Sequence, residues 1–393
     1  MKLPLRRLAL SLIALAGCAS ATNLREHYAN EPAVIRPAAV APSEPSVTAA
    51  TPAPKSAEPA PLPVPLVTLA GTGADMGTAH GRQLGPTVAM LHEQYLKRFL
   101  RTDEQFTLAA NAAKNFEAKL LPEHRAEVAA LAKAADLPQS QVMLGQCFLD
   151  LIPMTACSTI ALPAGASPDG VARFGRNLDF PSLGVADKHS TLFVQKPAGK
   201  HAFVSIGWPG LIGVLTGMNE HGLTLANMEV SRMPRVPTAM PYMLLYRRVL
   251  EECRTVDEAV ALLRRTPKQT ANNLMLMDAA GDRAVVELTP HSVTVRRAGE
   301  SQPLVSTNHQ RGSKDLDSPG RCSRFDYMRD TGTRQFGTID ERAVEGMLAK
   351  VGVRMTLQSM VFEPSARVMH LSTGTSAAKG TFTRVDLKPL FAR

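Results

Sequence analysis

Helical periodicity ends near Leu149 and strand-like runs begin at Cys157, and this change of period limits the possible fold more than any other feature of the chain. Before the change, Val88, Leu91, Tyr95 and Phe99 mark one apolar face of a helix expected over 75–100. Residues 106–120, 122–135 and 138–149 read as three more helices, the second with Pro122 in its first turn. A short strand at 66–70 precedes them. After the change, strands are expected at 192–195, 202–206, 211–215 and 223–226, separated by turns rich in Gly and Asn. Helices follow at 242–253 and 256–264, the second opened by Thr255 with Glu258 as a capping box. Strands resume at 274–277, 284–288, 293–296 and 304–306. Helices at 321–329 and 339–351 then lead to strands at 359–362, 367–370 and 382–386. Runs of strands grouped apart from runs of helices imply an α+β fold with antiparallel sheets, not a doubly wound parallel one.

The first 65 residues stand outside this pattern. Lys2, Arg6 and Arg7 precede an apolar run from Leu8 to Ala16, too short for a stable membrane span and shaped like a secretory signal. It ends in Leu15-Ala16-Gly17-Cys18, which resembles the lipobox of bacterial lipoproteins. That resemblance implies a signal over 1–17, cleavage before Cys18 and lipid on its sulfur. The protein would then be exported, anchored to a membrane and exposed on the periplasmic or cell-surface side. Up to residue 65 the composition is Ala, Pro, Ser and Thr with few bulky side chains, which cannot bury a core and reads as a tether.

Net charge is +9, but the basic residues are scattered and aromatics make up only 5% of the chain, so no basic, aromatic-lined surface for nucleic acid is expected. The five cysteines, at 18, 147, 157, 253 and 322, lack metal-ligand spacing, and no metal or cofactor is expected. With Cys18 and Cys157 set aside, the remaining three cannot all pair within one molecule. Gly71-Thr72-Gly73-Ala74-Asp75-Met76-Gly77 misses the dinucleotide fingerprint by one residue and reads as a turn and helix start.

Most of the chemistry is concentrated just after the change of period. Cys157 opens a β-forming run, residues 163–170 are turn-rich, and 171–174 resume as a strand, which together predict a hairpin. Its return would bring Arg176 and Asp179 towards Cys157, where a guanidinium favours thiolate and a carboxylate can hold an ammonium. A buried structural cysteine beside a surface ion pair fits the same residues.

Further along lie Gly217-Met218-Asn219-Glu220-His221-Gly222-Leu223, Ala226-Asn227-Met228-Glu229, Ser306-Thr307-Asn308-His309 and Cys322-Ser323-Arg324-Phe325. With Cys157, Arg176 and Asp179, and with Gly81-Arg82-Gln83-Leu84 in the first helix, this ordered set resembles the cysteine N-terminal-nucleophile hydrolases. These include the choloylglycine hydrolase and penicillin V acylase group. Closer in layout is the acyl-CoA:6-aminopenicillanate acyltransferase family, also called peptidase family C45. The resemblance covers residue 66 to the C-terminus.

It implies an αββα sandwich of two antiparallel sheets between helical layers. It also implies self-cleavage between Ala156 and Cys157 into an α chain (66–156) and a β chain (157–393) that stay associated. Ala156 departs from the family, where the acyltransferase has glycine. The roles it implies are Cys157 as nucleophile with its freed α-amine as base, Arg176 beside the thiolate, Asp179 holding the amine, Asn227 as oxyanion donor, and Asn308 and Arg324 positioning the amino terminus. His309 reads as structural, and Asn219 as a turn residue tolerant of positive φ. The substrate implied is a small N-acyl amide, cleaved with water or, alternatively, transferred to an amine. Two other classes compete: a non-catalytic binding lipoprotein of this fold, and a papain-like protease, whose local cysteine signature is absent.

Overall fold

The computed structural model describes residues 61–152, 156–230, 239–312 and 322–392. The signal, Cys18 and most of the tether fall outside them. One compact unit takes in Leu62–Arg393. Among the described residues no helix is long and apolar enough to cross a membrane.

Fourteen strands in the described residues form two sheets. The larger contains β1 (Leu66–Gly71), β4 (Thr191–Pro197), β5 (Phe203–Gly207), β6 (Thr216–Asn219), β7 (Thr224–Glu229), β8 (Asn272–Met277), β9 (Arg283–Leu288) and β10 (Val293–Arg296), in that spatial order. The smaller has the order β11 (Leu304–Thr307), β2 (Ala156–Leu162), β3 (Arg173–Asp179), β12 (Thr356–Glu363), β13 (Val368–Thr373) and β14 (Thr383–Asp386). All pairings are antiparallel except that of β1 with β4. That pair is parallel because the whole helical segment lies between the two strands, the long crossover that parallel pairing requires.

The helices are α1 (Gly73–Leu91), α2 (Asp103–Ala113), α3 (Pro122–Ala134), α4 (Gln139–Leu151), α5 (Tyr242–Glu252), α6 (Val256–Arg265), α7 (Ser323–Arg334) and α8 (Glu341–Val351). A π turn, His92–Leu96, and a last α turn, Lys97–Leu100, extend α1. Helices α7 and α8 cover the outer face of the smaller sheet, where Met328, Val344 and Leu348 meet Ile160, Leu162 and Val361. The second cluster joins α1, α3, α4, α5 and α6 to the larger sheet and runs between the two sheets, completing an αββα sandwich.

The helices before Cys157 pack closely on one another, and one of them is tied to the segment after Cys157. Gly73, Gly77 and Gly81 let α1 lie against the backbone of α3, since added Cβ atoms would come within 2.1 Å of Glu123 O, 2.2 Å of Glu127 O and 2.7 Å of Ala134 Cβ. Then α3 is tied to α5 by a buried ion network. Arg247 pairs with Glu127 and with Glu251, both at 2.7 Å, and His124 Nε2 lies 3.0 Å from Glu251.

The expected strand at 211–215 is instead a loop, and the strand begins at Thr216. Its apolar residues are buried by packing on α5: a Cβ on Gly213 would meet Met243 Cβ at 2.6 Å, and Val214 N–H donates to Met243 O at 2.9 Å. Asn219 does serve the turn before β7, but through its side chain and not through positive φ. Its Oδ1 accepts from the His221 and Leu223 amides, and Gly222 takes the left-handed conformation at φ +85°.

His80 and His92 are buried, and burial holds both imidazoles down to about 4, with the Arg247 charge adding to the effect at His80. Neutral His80 is required by its contact, because Nε2 accepts the Gly210 N–H at 2.9 Å. The unfolded chain protonates these rings near 6.5, before the folded chain does. Their contribution is therefore intact above about pH 6.5 and falls as the pH drops towards 4, by roughly 3 kcal/mol per ring. Urea unfolding at pH 7 and pH 4.5 should show this loss, and a His92→Leu protein should show a shallower one. Identical pH profiles for the two proteins would rule out a role for His92.

Candidate active site

The hairpin of β2 and β3 sets Cys157 opposite Leu178, Thr159 opposite Arg176 and Ala156 opposite Asp179. Side chains alternate along a strand, so Cys157 and Thr159 share a face. Thr159 Oγ1 lies 3.4 Å from Met228 Sδ on β7, which fixes that face as the one turned to the larger sheet. On β3 the Arg176 guanidinium points the same way, its Nε donating to Thr216 Oγ1 on β6 at 3.2 Å. Asp179, three residues on, falls on the opposite face. Arg176 shares the face of the thiol, while Asp179 acts on it by charge from the end of the strand.

Arg176 is fully buried, and its two terminal nitrogens have no oxygen or nitrogen acceptor among the described residues. Burial pushes the Cys157 thiol up and the Asp179 charge adds to this, while Arg176 opposes it by charge and hydrogen bonding, with a smaller pull from Arg324. A buried cation without a carboxylate partner next to a buried thiol is an arrangement that favours an anion on sulfur.

Around the Cys157 backbone, Asn308 Oδ1 accepts its N–H at 2.8 Å and also accepts from Arg324 Nη2 at 3.1 Å. Arg324, in the first turn of α7, donates through Nη1 to Cys157 O at 3.2 Å and to Asp179 Oδ2 at 3.0 Å. Asn308 Nδ2 donates to Glu229 O at 2.9 Å, and Thr356 Oγ1 donates to Asp179 Oδ1 at 2.5 Å. Burial raises the Asp179 carboxyl, against the pull of Arg324, Thr356 and Arg176. Asp179 is thus bonded to Arg324 and Thr356, while the acceptor on the Cys157 nitrogen is Asn308. With the Ala156–Cys157 bond intact, the hairpin ladder points the Asp179 side chain at α7 and β12.

Asn227 is fully buried, and neither polar atom of its amide has a partner among the described residues. Alternation along β7 turns it away from the Met228 side, and its backbone N–H donates to Leu215 O at 2.9 Å. Asn273, which the sequence reading missed, sits opposite Met228 on β8. Its Nδ2 donates to Thr307 O at 2.9 Å and to His309 O at 2.8 Å, holding the backbone on both sides of Asn308. The available signal was two consecutive asparagines opening an otherwise apolar strand.

His309 Nδ1 lies 3.4 Å from Thr307 Oγ1 and its ring bonds Cys322. Burial raises the Cys322 thiol, but hydrogen bonds from His309, the Phe325 amide and Thr307, with the Arg324 charge, outweigh it and bring the thiol down to about 6. Cys147, Cys157, Cys253 and Cys322 are all free.

An apolar pocket adjoins the hairpin. Phe180, directly after Asp179, lines it together with Leu91, Tyr95, Phe148, Trp208 and Leu215, around about 600 Å³ of empty space that is partly open to solvent. Phe180 stacks between Trp208 and Tyr95, with ring centroids at 5.2 and 6.1 Å. Its walls come from both sides of the Ala156–Cys157 bond.

Residues 166–334 match the family model for acyl-coenzyme A:6-aminopenicillanic acid acyl-transferase. The match includes Arg176, Asp179, Asn227, Asn308 and Arg324 and begins after Cys157. A protein of Archaeoglobus fulgidus described as uncharacterized is 24% identical over 266 residues, covering 59% of this chain and 44% of that one. The chain therefore spans less than half the length of this curated relative. Among solved structures, a Caenorhabditis elegans ortholog of N-acylethanolamine-hydrolyzing acid amidase is similar at TM-score 0.43 and 19% identity, over 53% of this chain and 93% of that one. A mutant conjugated bile acid hydrolase from Clostridium perfringens follows at TM-score 0.40 and 18% identity, over 60% and 94%. Penicillin V acylase from Agrobacterium tumefaciens gives 0.41 and 17%, over 55% and 83%.

Proposed function

We propose, from the match of residues 166–334 to the acyl-transferase family model, that the chain is an N-terminal-nucleophile amidohydrolase that frees its own nucleophile. The observation that carries this reading is the arrangement around Cys157. Asn308 and Arg324 grip its backbone nitrogen and carbonyl, and the Arg176 guanidinium, bonded to Thr216 through Nε, lies at its sulfur.

In maturation, Cys157 Sγ attacks the Ala156 carbonyl carbon, and the peptide nitrogen leaves as the α-amine. Water then hydrolyses the resulting thioester, giving a carboxylate on Ala156. In turnover the α-amine, oriented by Asn308 Oδ1, takes the thiol proton as sulfur attacks the substrate amide carbonyl. Collapse of the tetrahedral intermediate expels the substrate amine, which takes a proton from the α-ammonium. The acyl thioester is then resolved by water. Arg176 stabilises sulfur as thiolate.

The pocket beside Phe180 supports a substrate with an apolar acyl group, aromatic or medium-chain aliphatic, because it is lined mainly by apolar side chains. Gly145 of α4 borders it, and a Cβ there would meet only His92 Nε2, at 3.5 Å. Gly145→Leu should therefore fill the pocket without displacing backbone. With a series of N-acyl amides of rising acyl length, kcat/KM for long chains should fall at least about tenfold relative to short ones, mostly through KM. An unchanged length preference in the Gly145→Leu enzyme would exclude this pocket as the acyl site.

A further inference from the structure

At the end of β7 away from Glu229, two tight connections bring together side chains that have no part in the chemistry above. His201 lies between β4 and β5, and Glu220 and His221 lie in the turn between β6 and β7. His201 Nδ1 is 3.0 Å from His221 Nε2 and 3.6 Å from Glu220 Oε1, while His221 Nε2 is 3.9 Å from the same oxygen. Three ligand-type atoms thus form a closed triangle with edges of 3.0 to 3.9 Å. A tetrahedral zinc ion with bonds of about 2.0–2.2 Å needs ligand separations of about 3.3–3.6 Å.

We propose that His201, Glu220 and His221 form a site for one divalent transition-metal ion of zinc type, with its remaining position open to water. The donor set of two imidazoles and one carboxylate suits zinc better than a hard ion such as calcium or magnesium. The side chains are 19%, 25% and 32% exposed, so an ion and its water can reach them.

The frame is rigid before any ion arrives. Glu220 N–H donates to Ala202 O at 2.8 Å and Ala202 N–H donates back to Glu220 Oε1 at 3.1 Å, which locks the two connections together. Asn219 fixes the turn from within, and its Nδ2 donates to Leu250 O and Cys253 O at the end of α5. His201 N–H donates to Glu251 O at 3.1 Å. Preorganised backbone of this kind lowers the ordering cost of gathering three ligands.

The surrounding charges are mixed. Neutral imidazole is the ligating form, and burial holds both rings below their ordinary value. Arg254 faces both rings and Arg367 faces His221, opposing a cation, while Glu220 and Glu258 favour one at His201. Without a metal the two nitrogens can share only one N–H···N bond. A bound ion would replace that bond and join the two connections to each other, acting as a staple and not as part of the catalysis.

The test uses the full chain, freed of metal with chelator and titrated calorimetrically with Zn²⁺, then with Co²⁺ to read ligand type. One equivalent should bind, with a Co²⁺ spectrum lacking a thiolate charge-transfer band, and thermal unfolding should move upwards. His221→Gln and His201→Gln should each weaken binding at least about tenfold and remove the thermal shift. Both substitutions are on partly exposed side chains, and metal-free activity should stay at the wild-type level. Binding that is absent in the wild type, equally tight in both variants, or marked by a thiolate band would overturn the proposal.

Discussion

A Cys157→Ala protein is expected to run as a single uncut chain and to show no amidase activity with any N-acyl substrate. The wild type should give two chains, one ending at Ala156 and one beginning at Cys157, that separate only in denaturant. The reason is that one sulfur performs both steps. It attacks the Ala156 carbonyl to expose the α-amine, and the exposed amine then serves the same sulfur in turnover. Cys157→Ser keeps a weaker nucleophile in the same geometry and should cut slowly.

The halves should remain together because the main core draws on both, and because Glu127 before the cut pairs with Arg247 after it at 2.7 Å with both side chains buried. Intact mass under denaturing conditions reads the cut directly. Normal cutting of the Cys157→Ala chain would assign maturation to another protease. A wild type that is never cut would leave no free amine and would favour a binding protein of this fold.

Replacing Arg176 by Met should lower kcat/KM by about 10²- to 10³-fold, the scale seen when one charge-stabilising donor is lost. Folding stability should be unchanged or should increase. A guanidinium buried between two sheets with a single hydroxyl partner, Thr216, carries a desolvation cost that its contacts repay poorly. Exchanging buried ions for apolar groups of similar volume is often neutral or stabilising, by roughly 1–4 kcal/mol. If Arg176 instead served only the fold, the Met variant would melt lower and keep its activity per folded molecule. Thermal unfolding and kcat/KM measured on one preparation separate these outcomes. The pH at which iodoacetamide alkylates Cys157 should also rise in the variant, since the cation that holds the thiol down is gone.

Much of this molecule follows from local pattern. Apolar spacing of three and four marks the helices before Cys157, and a turn-rich stretch between two β-forming runs marks the hairpin, because both depend on periods set within a few residues. The glycines at 73, 77 and 81, by contrast, take their meaning from the backbone of α3, about fifty residues away. The residue types for thiol chemistry were legible too: Cys157, Arg176, Asn308 and Arg324 do converge.

What pattern could not supply was direction across long distances in the chain. Asp179 turns to Arg324 and Thr356, and not to the Cys157 nitrogen, because three residues in a strand reverse the face. That consequence matters only once the position of α7 is known. Asn273 holds the Asn308 segment through bonds that span more than thirty residues, which no spacing rule anticipates. The apolar run at 211–215 has a strand's composition but is buried by α5, so packing decided its conformation. His201 lies nineteen residues before Glu220, and no ligand spacing links them in sequence. The antiparallel closure of β4, β5, β6 and β7 places their connections side by side, and only that closure makes three unremarkable side chains into a triangle with edges of 3.0 to 3.9 Å.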